Sequence, residues 1–337
     1  MKKIFIMIII TELLSFSSFA MKFPVKIDLD DFSEFMNYYS KGVTYNGHLN
    51  VQGSRLLNKY GEILQLKGMS SHGILWYPEY TNYRSLMTTK DYGANVFRIA
   101  MYTSERDGYI GKKEESKDAL YMALENALGT DMYVIIDWHI LRDSDPNTYV
   151  DEAVDFFAEL SSRYPNNPAI IYEICNEPNG EISWEDVKKY ANTVIPEIRK
   201  NSPNALILVG SPKYSTDIRA VAKSPLEYDN IIYSYHFYTG LGSDYKSTID
   251  FAINNRIPIF VSEWGMKKDE DSGEFDFDEA SGFLDYLEKK DISWINWSLS
   301  NKKEDYSVIK HTEEKLSHWS VDQLTENGKF VFEYMAK

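Results

Sequence analysis

The chain predicts a (β/α)8 barrel with a small β-hairpin cap on its N-terminal side. Three observations lead there. Eight short apolar runs alternate with helix-length amphipathic segments over roughly 270 residues. The runs are β-branched and almost continuously apolar, as strands buried on both faces must be. Polar and aromatic residues gather just after the C-terminal ends of those runs, where a barrel opens its mouth.

The elements follow in chain order. Lys2 and Lys3, the apolar run Ile4 to Ile10 and Ser18-Phe19-Ala20 read as a secretory leader cleaved after Ala20, although Glu12 interrupts the apolar part. Seven uninterrupted apolar residues cannot cross a hydrocarbon layer that needs about 20. Residues 21–44 form an N-terminal extension or linker, and residues 45–337 the catalytic barrel domain. Leu49-Val51 and Glu62-Leu66, flanking Asn58-Lys59-Tyr60-Gly61, predict the hairpin.

The barrel strands are then Gln65-Met69, Asn95-Ala100, Met132-Asp137, Ala169-Glu173, Leu206-Val209, Ile231-Ser234, Ile257-Ser262 and Ser293-Trp297. Helices fall at Lys117-Leu128, Asp151-Ser162, Asp244-Asn255, Phe277-Lys289 and Asp322-Met335, and one runs to Lys200 from a start at Ser183-Trp184-Glu185-Asp186. An open doubly wound sheet is the competing architecture. No Gly-x-Gly-x-x-Gly follows the first strand, so dinucleotide binding has no support.

Composition narrows the function. A formal net charge of -15 opposes nucleic acid and anionic membranes as partners, but not a neutral polysaccharide. Cys175 is the single cysteine, so no intramolecular disulfide can form. The 25 Tyr and 7 Trp offer flat faces suited to sugar rings, and equally to a core.

The strand ends carry Ser71-His72-Gly73, Arg98 followed by Tyr102, Asp137-Trp138-His139, Asn176-Glu177-Pro178, His236-Phe237-Tyr238, Glu263-Trp264-Gly265 and Trp297. Any one of these has a bland reading as a solvated or core residue. Arg98 within Val96-Phe97-Arg98-Ile99-Ala100 is harder to dismiss, because a buried guanidinium needs a carboxylate. A zinc hydrolase would want His-Glu-x-x-His, and a serine hydrolase Gly-x-Ser-x-Gly; neither is present. The remaining chemistry is a carboxylate pair, Glu177 after the fourth strand and Glu263 after the seventh, facing each other across the mouth. No metal and no cofactor is called for.

From about Val43 onward the chain resembles the family 5 glycoside hydrolases, in particular the bacterial endo-1,4-β-glucanases. The resemblance rests on Gln65-Leu66-Lys67-Gly68-Met69-Ser70-Ser71-His72-Gly73, Asn95-Val96-Phe97-Arg98, Ile135-Ile136-Asp137-Trp138-His139-Ile140, Ile171-Tyr172-Glu173 leading into Asn176-Glu177-Pro178-Asn179-Gly180, His236-Phe237-Tyr238, Val261-Ser262-Glu263-Trp264-Gly265 and Asn296-Trp297-Ser298-Leu299, in that order. It implies a secreted, retaining endo-β-1,4-glucanase acting on cellulose and related β-glucans. Glu177 would be the acid/base and Glu263 the nucleophile. Asn176 would hold the sugar 2-hydroxyl, Arg98 and Tyr238 would steady and aim Glu263, and His139 and His236 would line the cleavage subsite.

Substrate contacts would come from His72, Trp76, Tyr102, Tyr214, Trp297, Lys302 and Glu304, with Trp297 beneath the reacting ring. Tyr214 stands where the relatives carry Trp. The acidic loop Lys267-Glu279 reads as solvated rather than as a calcium site, and Cys175 as core packing. The expected partner is a β-glucan chain and the expected state a monomer. Mixed-linkage glucanase and mannanase are the neighbouring activities, and an inactive polysaccharide-binding barrel is the reading from another class.

Overall fold

Alternation within each apolar run decides what lines the interior. In Val96-Phe97-Arg98-Ile99-Ala100, Val96 belongs to one apolar cluster, while Phe97 and Ile99 belong to another. The same split separates Tyr133 and Ile135 from Val134 and Ile136, and Ile171 from Ile170 and Tyr172. In each strand one alternate set of positions fills the barrel and the other packs under the helices, the period of two that a strand imposes. Continuing that register upward puts Arg98, Asp137, Glu173 and His236 on the inner side at the mouth.

The computed structural model describes residues 39–240, 244–270 and 272–337. A short helix α1 (Val43–Asn46) precedes the hairpin strands β1 (Asn50–Gln52) and β2 (Arg55–Leu57). The barrel strands are β3 (Lys67–Ser71), β4 (Val96–Tyr102), β5 (Tyr133–His139), β6 (Ile170–Glu173), β7 (Ile207–Val209), β8 (Ile231–Tyr238), β9 (Ile259–Gly265) and β10 (Trp294–Leu299). They close in the order β10-β3-β4-β5-β6-β7-β8-β9, and every neighbouring pair is parallel. All eight expected strands are present.

Between them run α2 (Tyr83–Asp91), α3 (Lys113–Leu128), α4 (Val150–Arg163), α5 (Trp184–Asn201), α6 (Ile218–Lys223), α7 (Tyr245–Asn254), α8 (Phe277–Lys289) and α9 (Glu326–Ala336). Ser183 opens α5 with a capping box: its hydroxyl accepts from the Asp186 N–H, while the Asp186 carboxylate accepts from the Ser183 N–H. Residues 322–325, expected within the last helix, instead hold the end of a 3-10 turn and the Thr325 cap. The leader at residues 1–20, and the extension up to residue 38, lie outside the described residues.

The hairpin departs from expectation. Its strands pair Asn50 with Leu57, Val51 with Leu56 and Gln52 with Arg55, so the turn is Gly53-Ser54 and not Asn58–Gly61. Gly53 takes φ +62 there with open space around it, the conformation a two-residue hairpin turn demands. Asn58–Gly61 forms a second turn, in which the Asn58 side-chain oxygen accepts from the N–H groups of Tyr60 and Glu62. That turn returns Ile63 to a single bridge with Leu57.

Burial explains the choice. Leu49 and Leu56 join Leu66, Val96, Tyr133, Ile135, Ile171, Leu206, Leu208, Ile232, Phe260 and Ile295 in one inner cluster, so the hairpin plugs the barrel floor. Tyr133 donates its hydroxyl to Gly47 O at 2.6 Å, and Asn230 bonds Val51 N and Leu49 O, which fastens the plug. With the floor sealed, the open end is the C-terminal mouth.

Candidate active site

Arg98 is the hub of that mouth and has no exposed surface. Its Nε donates to Glu173 Oε2 at 2.7 Å, Nη1 to Glu263 Oε2 at 2.9 Å, and Nη2 to Asn176 Oδ1 at 2.7 Å. Nη2 also lies 2.9 Å from Asp137 Oδ2. A buried guanidinium is tolerable only when its fixed fork of donors finds acceptors, and here β5, β6 and β9 each supply a carboxylate. Burial works against the Arg98 charge, but the three carboxylates outweigh it and hold the cation more firmly than usual.

The two predicted glutamates sit on either side of this hub. Tyr238 donates to Glu263 Oε1 at 2.6 Å, so with Arg98 both Glu263 oxygens accept hydrogen bonds. Glu177 faces His236, whose Nδ1 is 2.7 Å from Glu177 Oε1. One ligating atom each from Glu177, His236 and Glu263 lie within 4.8 Å of one another, so the two carboxyl groups are close across the mouth. Both His236 nitrogens and both Glu263 oxygens already have protein partners, which makes this a hydrogen-bonded pair rather than a vacant cation cage.

The surroundings separate the two carboxyls. Burial pushes the Glu177 carboxyl up to about 8 against the pull of Arg98, with Asp137 and Glu173 adding to the rise. Burial likewise raises Asp137 to about 7, and lowers His236 to about 4 and His139 to about 3, so both imidazoles are neutral at ordinary pH. His139 Nδ1 lies 2.6 Å from Asp137 Oδ2, and Nε2 faces the Asn176 amide at 3.4 Å. The amide's orientation follows from its partners: Oδ1 accepts from Arg98 while Nδ2 donates to Ile140 O at 3.2 Å.

Aromatic rings form a wall along one side. His72, Trp76, Tyr102, His139 and Trp297 are linked by ring separations from 4.2 Å (Tyr102 to His139) to 6.5 Å (Tyr102 to Trp297). Lys302 Nζ reaches His72 Nε2 at 3.1 Å and Glu304 Oε2 at 2.5 Å, which ties the loop after β10 to the same wall. Trp76 Nε1 donates to Arg106 O at 3.1 Å and is thereby held at the wall's outer end.

Tyr214 stands apart from these rings and is 52% exposed. Lys213, Tyr214 and Ser215 all adopt left-handed backbone near φ +58, a costly run for residues with side chains. It is held by Tyr214 N donating to Pro178 O at 3.0 Å and Ser215 Oγ donating to Asn176 O at 2.6 Å. Tyr214 thus borders the loop that carries Glu177, on a different side from Trp76.

The predicted residues therefore form one core, Arg98, His139, Asn176, Glu177, His236, Tyr238 and Glu263, and one wall, His72, Trp76, Tyr102, Trp297, Lys302 and Glu304. Sequence reading assigned no site role to Glu173, Ser234 or Ser262. Ser234 donates to Glu173 Oε1 at 2.6 Å, and Ser262 Oγ is 3.1 Å from His236 Nε2. Glu173 carried a signal, since an acid within Ile170-Ile171-Tyr172 is as anomalous as Arg98 in its own run. Cys175 is fully buried below the Glu177 loop, where burial raises its thiol well above the usual range. Among the described residues of the 267–279 loop, Asp276 caps α8 and Glu279 accepts from Gly240 N.

The profile of the cellulase family, glycosyl hydrolase family 5, matches residues 57–303. An endoglucanase of Clostridium saccharobutylicum is 42% identical over 291 residues, covering 86% of this chain and 65% of that protein. Endoglucanase A of Butyrivibrio fibrisolvens is 42% identical over 300 residues, covering 87% of this chain and 70% of that protein. The chain thus spans about two thirds of these relatives' length. Among solved structures, the catalytic domain of a Thermobifida fusca endoglucanase in complex with cellotetraose superposes with a TM-score of 0.82 at 32% identity, covering 88% of this chain and 99% of that one.

Proposed function

The chain belongs to glycosyl hydrolase family 5, and on that premise we propose that it is a secreted endo-β-1,4-glucanase acting by double displacement with retention. The observation that carries the reading is the pair of glutamates within 4.8 Å, one gripped by Arg98 and Tyr238, the other buried against His236. Retaining glycosidases hold their carboxyls about 5 Å apart, whereas inverting ones need about 6.5–9.5 Å to seat a water.

The chemistry follows from the two environments. Glu263, with both oxygens fixed, attacks the anomeric carbon as the carbon–oxygen bond to the leaving sugar breaks. Glu177, which burial keeps protonated, gives its proton to that leaving oxygen. Water then attacks the glycosyl ester, losing its proton to Glu177 and releasing Glu263. Arg98 and Asn176 are joined by a 2.7 Å hydrogen bond, so the group beside the sugar and the group aiming the nucleophile move as one.

The wall of Trp76, Tyr102, His72 and Trp297 supplies faces for sugars on one side of the break, with Lys302 and Glu304 as polar contacts. Tyr214 offers a single exposed ring on the other side. No helix among the described residues is long and apolar enough to cross a membrane. The residue 1–20 leader is the basis for proposing export.

Purified protein is expected to release reducing ends from carboxymethylcellulose and lichenan, with the β-anomer appearing first in proton NMR. Initial formation of the α-anomer would exclude retention, and cleavage of mannan alone would exclude the glucanase assignment. Glu263→Gln and Glu177→Gln are each expected to fold and to lose about 10³-fold or more in kcat on polysaccharide.

A further inference from the structure

Ser262 immediately precedes Glu263 on β9, and its hydroxyl lies 3.1 Å from Nε2 of His236. Through Nδ1, His236 meets Glu177 at 2.7 Å. The three side chains form one buried chain, with Ser262 fully enclosed and His236 and Glu177 nearly so. A neutral imidazole carries a single hydrogen, so its two nitrogens cannot both donate. Two arrangements satisfy the chain. In one, Ser262 donates to Nε2 and Nδ1–H donates to Glu177 Oε1. In the other every donor reverses: Nε2–H points at Ser262, and Glu177 must spend its own proton on Nδ1.

The two arrangements differ in what they leave Glu177 able to do. In the first, the acid proton sits on the second oxygen and is available to the leaving sugar, and the same Nδ1–H then supports the carboxylate that serves as base. In the second, the acid proton is held by the imidazole, and an ionised Glu177 would face a lone pair. A serine hydroxyl turns freely, so it can always present the hydrogen that the first arrangement requires. We propose that Ser262 is a positioning residue that holds His236 in the Nδ1–H tautomer and so keeps Glu177 competent in both half-reactions.

This role rests on the double-displacement reading. It also links the two glutamates, because the residue that orients the partner of Glu177 is covalently next to Glu263. The other titratable and charged groups facing His236 and Glu177 are Arg98 from β4, Asp137 and His139 from β5, Glu173 from β6, Tyr238 from β8 and Glu263 from β9. All of them remain in a Ser262 variant, so a change in pH profile reports the Ser262 contact.

The test compares full-length wild type, Ser262→Ala and Ser262→Thr by two readouts: kcat and kcat/KM against pH on a soluble β-glucan, and the ¹⁵N resonances of the His236 ring. Wild type is expected to show Nδ1 protonated and Nε2 bare. Ser262→Ala should lose that tautomer, lower kcat about tenfold with KM within about twofold, and move the alkaline limb of kcat/KM upward, because Nδ1 then accepts from Glu177 and stabilises its protonated form. Ser262→Thr, which keeps the hydroxyl, should restore all three.

An Nε2–H tautomer in wild type overturns the proposal, even if the alanine variant fails to fold. So does a Ser262→Ala enzyme with unchanged pH profile and tautomer, or a threonine variant that behaves like alanine. The ring resonances need no substrate. A wild-type chain that shows the expected tautomer but cleaves no β-glucan therefore refutes the hydrolase reading and not the hydrogen-bond assignment.

Discussion

A guanidinium removed from water is destabilising unless its donors are met, and Arg98 meets them with Glu173, Glu263, Asn176 and Asp137. The fork matters as much as the charge, because three of its nitrogens aim at groups from three different strands. Lysine would keep the charge but not the fork. Arg98→Lys is therefore expected to fold and to lose about 10²-fold in kcat, with a smaller change in KM, by steady-state kinetics and circular dichroism. Glu177 sets the alkaline limit. Its proton is needed for the first step and burial holds it up to about 8, so kcat/KM should fall as pH rises through that value. An alkaline limb near pH 5 would mean that Glu177 is not the group that donates.

At the scale of elements, the eight strands were legible because burial on both faces makes each an uninterrupted apolar run. What the runs conceal is which side of a strand a residue faces. Arg98 announced itself by charge, and Glu173 carried the same signal two strands away without being given a role. Ser262 carried none, since a serine beside a glutamate is ordinary until His236 is placed above it. The hairpin was found with its turn misplaced: Gly53-Ser54 and Asn58–Gly61 are both good turn sequences, and only the need to put Leu49 and Leu56 into the floor decides between them. Helix α2 was missed because Tyr83-Arg84-Ser85-Leu86-Met87-Thr88-Thr89-Lys90-Asp91 has few apolar residues, although Asn82 caps it with two hydrogen bonds. The capping box of α5 was read correctly and is remote from the mouth. Ser183→Ala should lower unfolding free energy by about 1 kcal/mol in urea titrations and leave kcat unchanged.

For the whole molecule, the buried carboxyls make stability depend on pH. Glu177 and Asp137 are raised to about 8 and about 7 in the folded chain, against ordinary carboxyl values near 4. The folded state therefore binds their protons more tightly than the unfolded state does. Their stabilising contribution is complete below about pH 4 and is lost as pH rises through 7 to 8. Glu177→Gln removes one such group. By scanning calorimetry, its Tm should match wild type near pH 4 and exceed it by about 3 °C or more at pH 9. An equal difference at both pH values would show that the gain comes from packing rather than from the proton.

The hub around Arg98 also straddles the midpoint of the chain. Strands β3 to β6 bring Arg98, Asp137 and Glu173, with Asn176 and Glu177 just beyond them; β7 to β10 bring His236, Tyr238, Ser262, Glu263 and Trp297. Each glutamate has a partner across that seam: Glu177 with His236, and Glu263 with Arg98. A nascent chain that has folded only its first half holds an acid without its imidazole and a cation without its nucleophile. The centre is complete only when both halves of the ring are in place, so an unfinished barrel lacks the paired glutamates that the chemistry needs.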